Sequence, residues 1–115
     1  MHYVDGFVAA VPTARKAEYL HHAEVASVVF KEHGALQLVE CWGDDVPDGT
    51  LTSFPMAVQR KPDETVVFSW VMWPSKAVRD EGMKRVMEDK RLAEFDMPFD
   101  GKRMIYGGFE VMFTG

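Results

Sequence analysis

Apolar and polar positions along the chain change period several times, and each change marks an element. Residues 2–11 are β-formers around Gly6 and read as a first strand. Pro12 and Thr13 stop it and open a helix with Thr13 as N-cap. Leu20, Ala23, Ala26, Ser27 and Phe30 then recur at three- and four-residue spacing, which predicts a helix to about His33 with that face inward. Gly34 follows as a left-handed C-cap. Ala35 to Trp42 reads as a second strand, ending in the turn-forming run Gly43 to Gly49. Phe54–Arg60 and Thr65–Trp73 predict a hairpin joined by Lys61-Pro62-Asp63-Glu64, whose first arm would bring the strand count to five. Pro74 and Ser75 repeat the stop-and-cap device before a second helix over about Lys76–Asp89. Its apolar side is Val78, Gly82, Met83, Val86 and Met87, with Gly82 allowing tight packing onto the sheet. Lys90–Arg103 is an irregular crossover, and Met104–Phe113 a last strand. The order strand, helix, strands, helix, strand predicts an α+β, ferredoxin-like β-α-β-β-α-β sandwich. It is an antiparallel sheet with two helices on one face, formed by residues 1–115 as one domain.

That pattern leaves one sheet face uncovered. Residues 66–73 are apolar on both parities apart from Ser69, and the first and last strands are apolar on both sides as well. Helices shelter only one side, and an exposed apolar face of several hundred Å² is rare on soluble monomers. A second copy of the chain is the economical cover, so a twofold homodimer is expected.

Composition narrows the functional classes. Hydrophobic residues are 47% and charged residues 27% of the chain, the balance of a folded globule. A net charge of −5, with basic residues scattered among acids, argues against nucleic acid. No apolar run approaches the ~20 residues of a membrane span, and the N-terminus makes a poor signal peptide. Cys41 is the sole cysteine, which excludes an internal disulfide and fits a cytoplasmic protein. Acidic neighbours oppose a Cys41 thiolate, so it reads as an inert buried thiol. Asp44, Asp45 and Asp48 lack the spacing of a calcium loop, and His21 and His22 point apart on a helix, so no metal and no cofactor are expected. His33 reads as a last-turn residue facing the negative end of the first helix. Gly107-Gly108 lies inside a strand, which implies a bulge or a close approach rather than a dinucleotide loop.

Candidate chemistry lies in polar residues among aromatic ones. Period-two alternation puts Tyr3 and Asp5 together on the first strand and Tyr106 and Glu110 together on the last, on the face expected to meet a partner sheet. Glu40 and Trp42 share a parity on the second strand, on a face the sequence leaves open. A carboxyl beside Trp and Phe in a dry cleft would have a raised pKa and could act as general acid or base. Arg103 could clamp a substrate anion, and Phe7 could supply apolar wall. The plainer alternative is that Asp5, Glu40, Glu110 and Arg103 form ion pairs that fix a dimer or cap strand ends.

Several segments are also familiar as a set: Tyr3–Phe7, Val39–Gly49, Val67–Trp70 and Met97–Glu110. With them the chain resembles, over nearly its whole length, the YbaA-like proteins of bacteria. The resemblance implies a place in the dimeric α/β-barrel superfamily, where two ferredoxin-like sheets face each other. It implies no activity, since that family has no established catalytic residues. The expectation is a small-molecule site in the apolar cleft of a homodimer, serving a cofactor-independent enzyme of monooxygenase or isomerase type. Asp5 or Glu110 would be its acid/base, Tyr106 a hydrogen-bond donor and Arg103 the anion clamp. Tyr3, Phe7, Glu40 and Trp42 would complete the ligand-binding set. The alternative is a non-catalytic homodimer acting as a structural or interaction protein.

Overall fold

Two ten-residue strands run through the middle of the molecule: β1 (Tyr3–Pro12) and β3 (Glu64–Trp73) pair antiparallel over their full length. The computed structural model describes all 115 residues. β2 (Gln37–Trp42) pairs with the outer side of β3, and β4 (Ile105–Glu110) with the outer side of β1. The sheet is therefore fully antiparallel in the order β2-β3-β1-β4, the strand order of the ferredoxin-like β-α-β-β-α-β sandwich.

α1 (Lys16–Glu32) and α3 (Lys76–Glu88) lie on one face. The row facing them is Tyr3, Asp5, Phe7, Ala9 and Val11 on β1, alternating with the other face as a pleated strand requires. Trp73, Val71, Ser69 and Val67 stand beside it on β3. Trp73 packs against Phe30 of α1, and both belong to a cluster with Tyr3, Ala35, Val71 and Met83. α3 comes unusually close because Gly82 has no Cβ. One added there would overlap the His33 carbonyl oxygen and the Trp73 ring. Ser75 caps this helix by accepting from the Val78 N–H, as its sequence position predicts. Gly34 closes α1 with φ of +110°, the left-handed conformation expected of it.

Three local expectations are corrected, and a fourth is decided between its two alternatives. Phe54–Arg60 forms no fifth strand. Ser53 accepts from the Met56 N–H and Pro55 occupies the first turn, so a single helical turn, α2 (Phe54–Ala57), is favoured instead. Thr13 does not cap α1: its hydroxyl bonds Thr65 at 2.7 Å, a short 3₁₀ turn over Thr13–Arg15 intervenes, and the α-helix begins at Lys16. The inward stripe of α1 is accordingly Tyr19, Ala23, Ala26 and Val29, while Leu20 faces solvent. Gly107-Gly108 makes no bulge, since the β1–β4 register runs unbroken through it. Gly108 answers a close approach, because a Cβ there would overlap Tyr3 and Arg79.

The sheet's other face has little cover. Val58, beyond α2, packs on Val8, Ala10 and Val66 at one corner. Phe54 and Phe68 meet edge-on at 5.9 Å, and Phe68 and Trp70 at 5.7 Å. Past that corner Phe68, Ile105 and Phe109 are exposed, and Val4, Val39, Trp70 and Met72 are half-buried. The crossover to β4 carries one further turn, α4 (Lys90–Ala93), which Asp89 caps by accepting from the Arg91 N–H. No helix is long and apolar enough to cross a membrane.

Candidate functional site

All the expected site residues on strands fall on the helix-covered face. This corrects the expectation that Tyr3, Asp5, Tyr106 and Glu110 would meet a partner sheet. The parity pairs hold, but they point to the opposite side: α3 reaches Asp5 through Arg79, and Tyr19 of α1 reaches Glu40. The register draws one row across the sheet, Glu40–Ser69–Phe7–Tyr106. Its ends lie three strand spacings apart, roughly 14 Å. Glu40 and Tyr106 therefore belong to different ends of the interlayer space.

Asp5 is the centre of a closed polar knot. Arg79 binds it from both Nε and Nη2, at 3.1 and 2.7 Å, and Trp73 donates Nε1–H at 3.0 Å. The guanidinium also stacks 5.1 Å from the Tyr3 ring centroid. Asp5 is buried and its oxygens already hold these donors. Arg103 is equally committed. It binds both Glu64 oxygens at 2.7 Å, Asp100 at 3.0 Å and the Gln59 carbonyl at 2.9 Å. This pins the crossover to the start of β3, and the Arg103 guanidinium holds the Glu64 carboxyl below its ordinary range. Arg103 therefore has no free fork for a substrate anion. Glu110 and Tyr106 stand exposed on the edge strand, with Tyr106 stacked 6.5 Å from Phe7.

Glu40 differs from all of these. It lies on the edge strand β2 beneath the first half of α1, and it makes no ion pair. Tyr19 donates its hydroxyl to Glu40 Oε1 at 2.6 Å, and the Ser69 hydroxyl also bears on it. Burial raises the Glu40 carboxyl above its ordinary value, and the Tyr19 and Ser69 hydroxyls only partly offset that. Burial likewise pushes the Tyr19 phenol well above its ordinary range, so the phenol stays protonated and remains a donor. Phe99 of the crossover lies 5.9 Å and Trp42 6.5 Å from the Tyr19 ring. Lys16 caps Trp42 from outside at 5.2 Å. The result is an aromatic cluster at the β2 edge around one carboxyl and two hydroxyls.

Sequence reasoning missed Tyr19, Ser69, Arg79 and Phe99. Tyr19 was legible: Tyr19, Ala23, Ala26 and Phe30 also recur at helical spacing. Arg79 and Phe99 carried no local signal.

Two surface concavities lie away from this cluster. One, of about 450 Å³, sits between the end of α1 and α3. Its charged groups are already matched, Glu81 with Arg85, His33 with Asp89 and Glu32 with Arg91. The other, of about 200 Å³, lies beside Asp44, Asp48 and Arg60. No three His, Cys, Asp or Glu side chains cluster in a way that could hold a metal ion. Cys41 is half-buried on the uncovered sheet face.

A family model described as a protein of unknown function, DUF1428, matches residues 2–101. The uncharacterized protein YbaA of Escherichia coli strain K12 is 58% identical over 112 residues, 96% of each chain, and that of Shigella flexneri matches equally. Among solved structures, a mutant of SnoaB, a cofactor-independent oxygenase from Streptomyces nogalater, superposes with a TM-score of 0.58. The match covers 98% of this chain and 95% of that one at 11% identity, which shows a shared fold. Architecture and strand order are those of a ferredoxin-like sandwich, and the family match and the YbaA identity show that this chain belongs to the YbaA-like DUF1428 family.

Proposed function

We propose that this protein is a homodimer that binds a small, neutral aromatic or carbonyl compound at the Glu40 cluster and acts on it without a cofactor. One observation carries the reading: Glu40 is a carboxyl held among Tyr19, Trp42 and Phe99 with the Tyr19 hydroxyl as its bonded partner and no cation paired to it. Structural carboxylates in this molecule are treated differently, as the Asp5–Arg79 and Glu64–Arg103 pairs illustrate. A carboxyl with a burial-raised pKa lies nearer the working range of a general acid or base. Its ionised form can take a proton from an activated C–H or O–H, leaving a resonance-stabilised enolate or phenolate. Both isomerase-like and monooxygenase-like chemistry can begin with that transfer. Tyr19, fixed on Oε1, orients the carboxyl, and Trp42 and Phe99 offer stacking surface. The shared fold with a cofactor-independent oxygenase supports the reading by analogy only.

This assignment moves the acid/base role from Asp5 or Glu110 to Glu40 and leaves Arg103 to hold the crossover. Glu40 carries no paired cation and its ionised form repels anions, while the one nearby cation, Lys16, is seated over Trp42, which favours neutral ligands over anionic ones. Pairing is supported separately, by the apolar sheet face that the helices do not cover.

A thermal-shift screen of small phenols, quinones and cyclic ketones tests the site. A ligand that binds only the native form raises its melting temperature. The expected result is a hit whose shift shrinks or vanishes in Glu40→Gln and persists in Glu110→Gln. A hit with equal shifts in wild type and Glu40→Gln, or no hit across the screen, would contradict the assignment.

A further inference from the structure

The barest part of the molecule is β4 together with the C-terminal residues beyond it. β4 is an edge strand, and its side chains are open on both faces: Tyr106 is 73% exposed and Phe109 62%. Past β4 the chain continues as Val111-Met112-Phe113-Thr114-Gly115, still extending the sheet for one bond from the Val111 N–H to the His2 carbonyl. Met112 and Phe113 then stand 91% and 82% exposed, with nothing of their own chain to pack on. An apolar arm at an unprotected sheet edge invites aggregation unless something covers it.

The uncovered sheet face has the complementary shortage. Four strands spaced ~4.8 Å apart and ~25 Å long present roughly 500 Å². The α2 segment already occupies the corner over Val8, Ala10 and Val66. A stable interface needs about 800 Å² from each partner. One Met and one Phe side chain contribute roughly 300 Å² together, which supplies most of the shortfall. Both the deficient face and the spare apolar arm belong to the same chain, so a twofold pair supplies each face with the other copy's arm.

We infer that residues 111–115 form an exchange arm: in the dimer each arm lies on the second copy's open sheet face, with Met112 and Phe113 packed beside Phe68, Trp70 and Met72. The arm rests on the pairing proposed above and specifies what seals it. Phe68 and Trp70 are in aromatic contact on that face, Phe68 is exposed, and neither carries a charge that would have to be desolvated.

Sedimentation equilibrium of the full chain, wild type against Met112→Ala/Phe113→Ala, Trp70→Ala and the triple variant, tests it. The arm variant should raise the dimer dissociation constant roughly tenfold or more, as loss of an anchoring aromatic does. Combined with Trp70→Ala its effect should be less than additive, because both substitutions remove one contact. The arm's exposure in the protomer means that its melting temperature at monomeric dilution should not change. A dimeric wild type whose dissociation constant is unmoved by the arm substitutions would overturn the arm and leave the pairing standing. A wild type that is monomeric at ~10 µM would overturn both.

Discussion

Glu40 and Asp5 are both acids on the helix-covered side of one sheet, two strands apart, yet the structure gives them opposite environments. Asp5 faces a guanidinium, and Glu40 faces a phenol and an alcohol. The difference has a pH signature. Burial holds the Glu40 pKa above its ordinary 4.5, so the native protein binds that proton more tightly than the unfolded chain does. Its effect on stability is therefore most favourable below about pH 4.5 and is lost as pH rises through the folded value. Glu40→Gln removes this loss. Relative to wild type it should melt on the order of 3 °C higher at pH 8 and show no advantage near pH 4, read by calorimetry across pH. An advantage that is independent of pH would mean that Glu40 is not strained by burial. Arg79→Ala acts in the other direction. It strands the Asp5 carboxylate with Trp73 as its only side-chain donor, which should cost about 3 kcal/mol in urea unfolding at pH 7. Asp5→Asn/Arg79→Ala together should cost less than Arg79→Ala alone.

At the level of elements, period and punctuation were legible, and phase was not. Proline, serine and glycine placed the second helix and the end of the first, because their preferences act within one turn of chain. The start of α1 failed for a tertiary reason: Thr13 uses its hydroxyl on Thr65 across the sheet, which no local rule contains. The inward stripe failed separately: Tyr19 and Leu20 both lie one turn before Ala23, and hydropathy favoured Leu20, which hid the phenol that holds Glu40. Strand alternation gave the correct pairs, Tyr3 with Asp5 and Tyr106 with Glu110. It could not say which side the helices take when both parities are apolar, so the predicted site landed on the wrong face. Gly82 is a sharper test of element packing. Helix propensity favours Ala over Gly by about 1 kcal/mol, whereas a Cβ at this position would overlap His33 and Trp73. Sterics should win, so Gly82→Ala should destabilise by roughly 2 kcal/mol in urea titration. A stabilised variant would mean that α3 rides farther from the sheet.

Taken whole, the molecule is a half-finished sandwich: one sheet face lies under helices, and the other shows Phe68, Ile105 and Phe109 to its surroundings. That imbalance was readable from the sequence, because it needs only the count of apolar residues on both parities and the number of helices available. Which residues close the second face was not readable, since the arm's exposure appears only once β4 is placed at the sheet edge. Catalysis at Glu40 and exchange of the C-terminal arm are separate claims, yet both assume this architecture. Light scattering on the size-exclusion peak at ~10 µM is the most direct measurement. Wild type should show twice the 13.1 kDa of one chain, falling toward 13.1 kDa when Trp70→Asp puts a charge on the open face. A wild-type peak at 13.1 kDa would contradict the paired architecture.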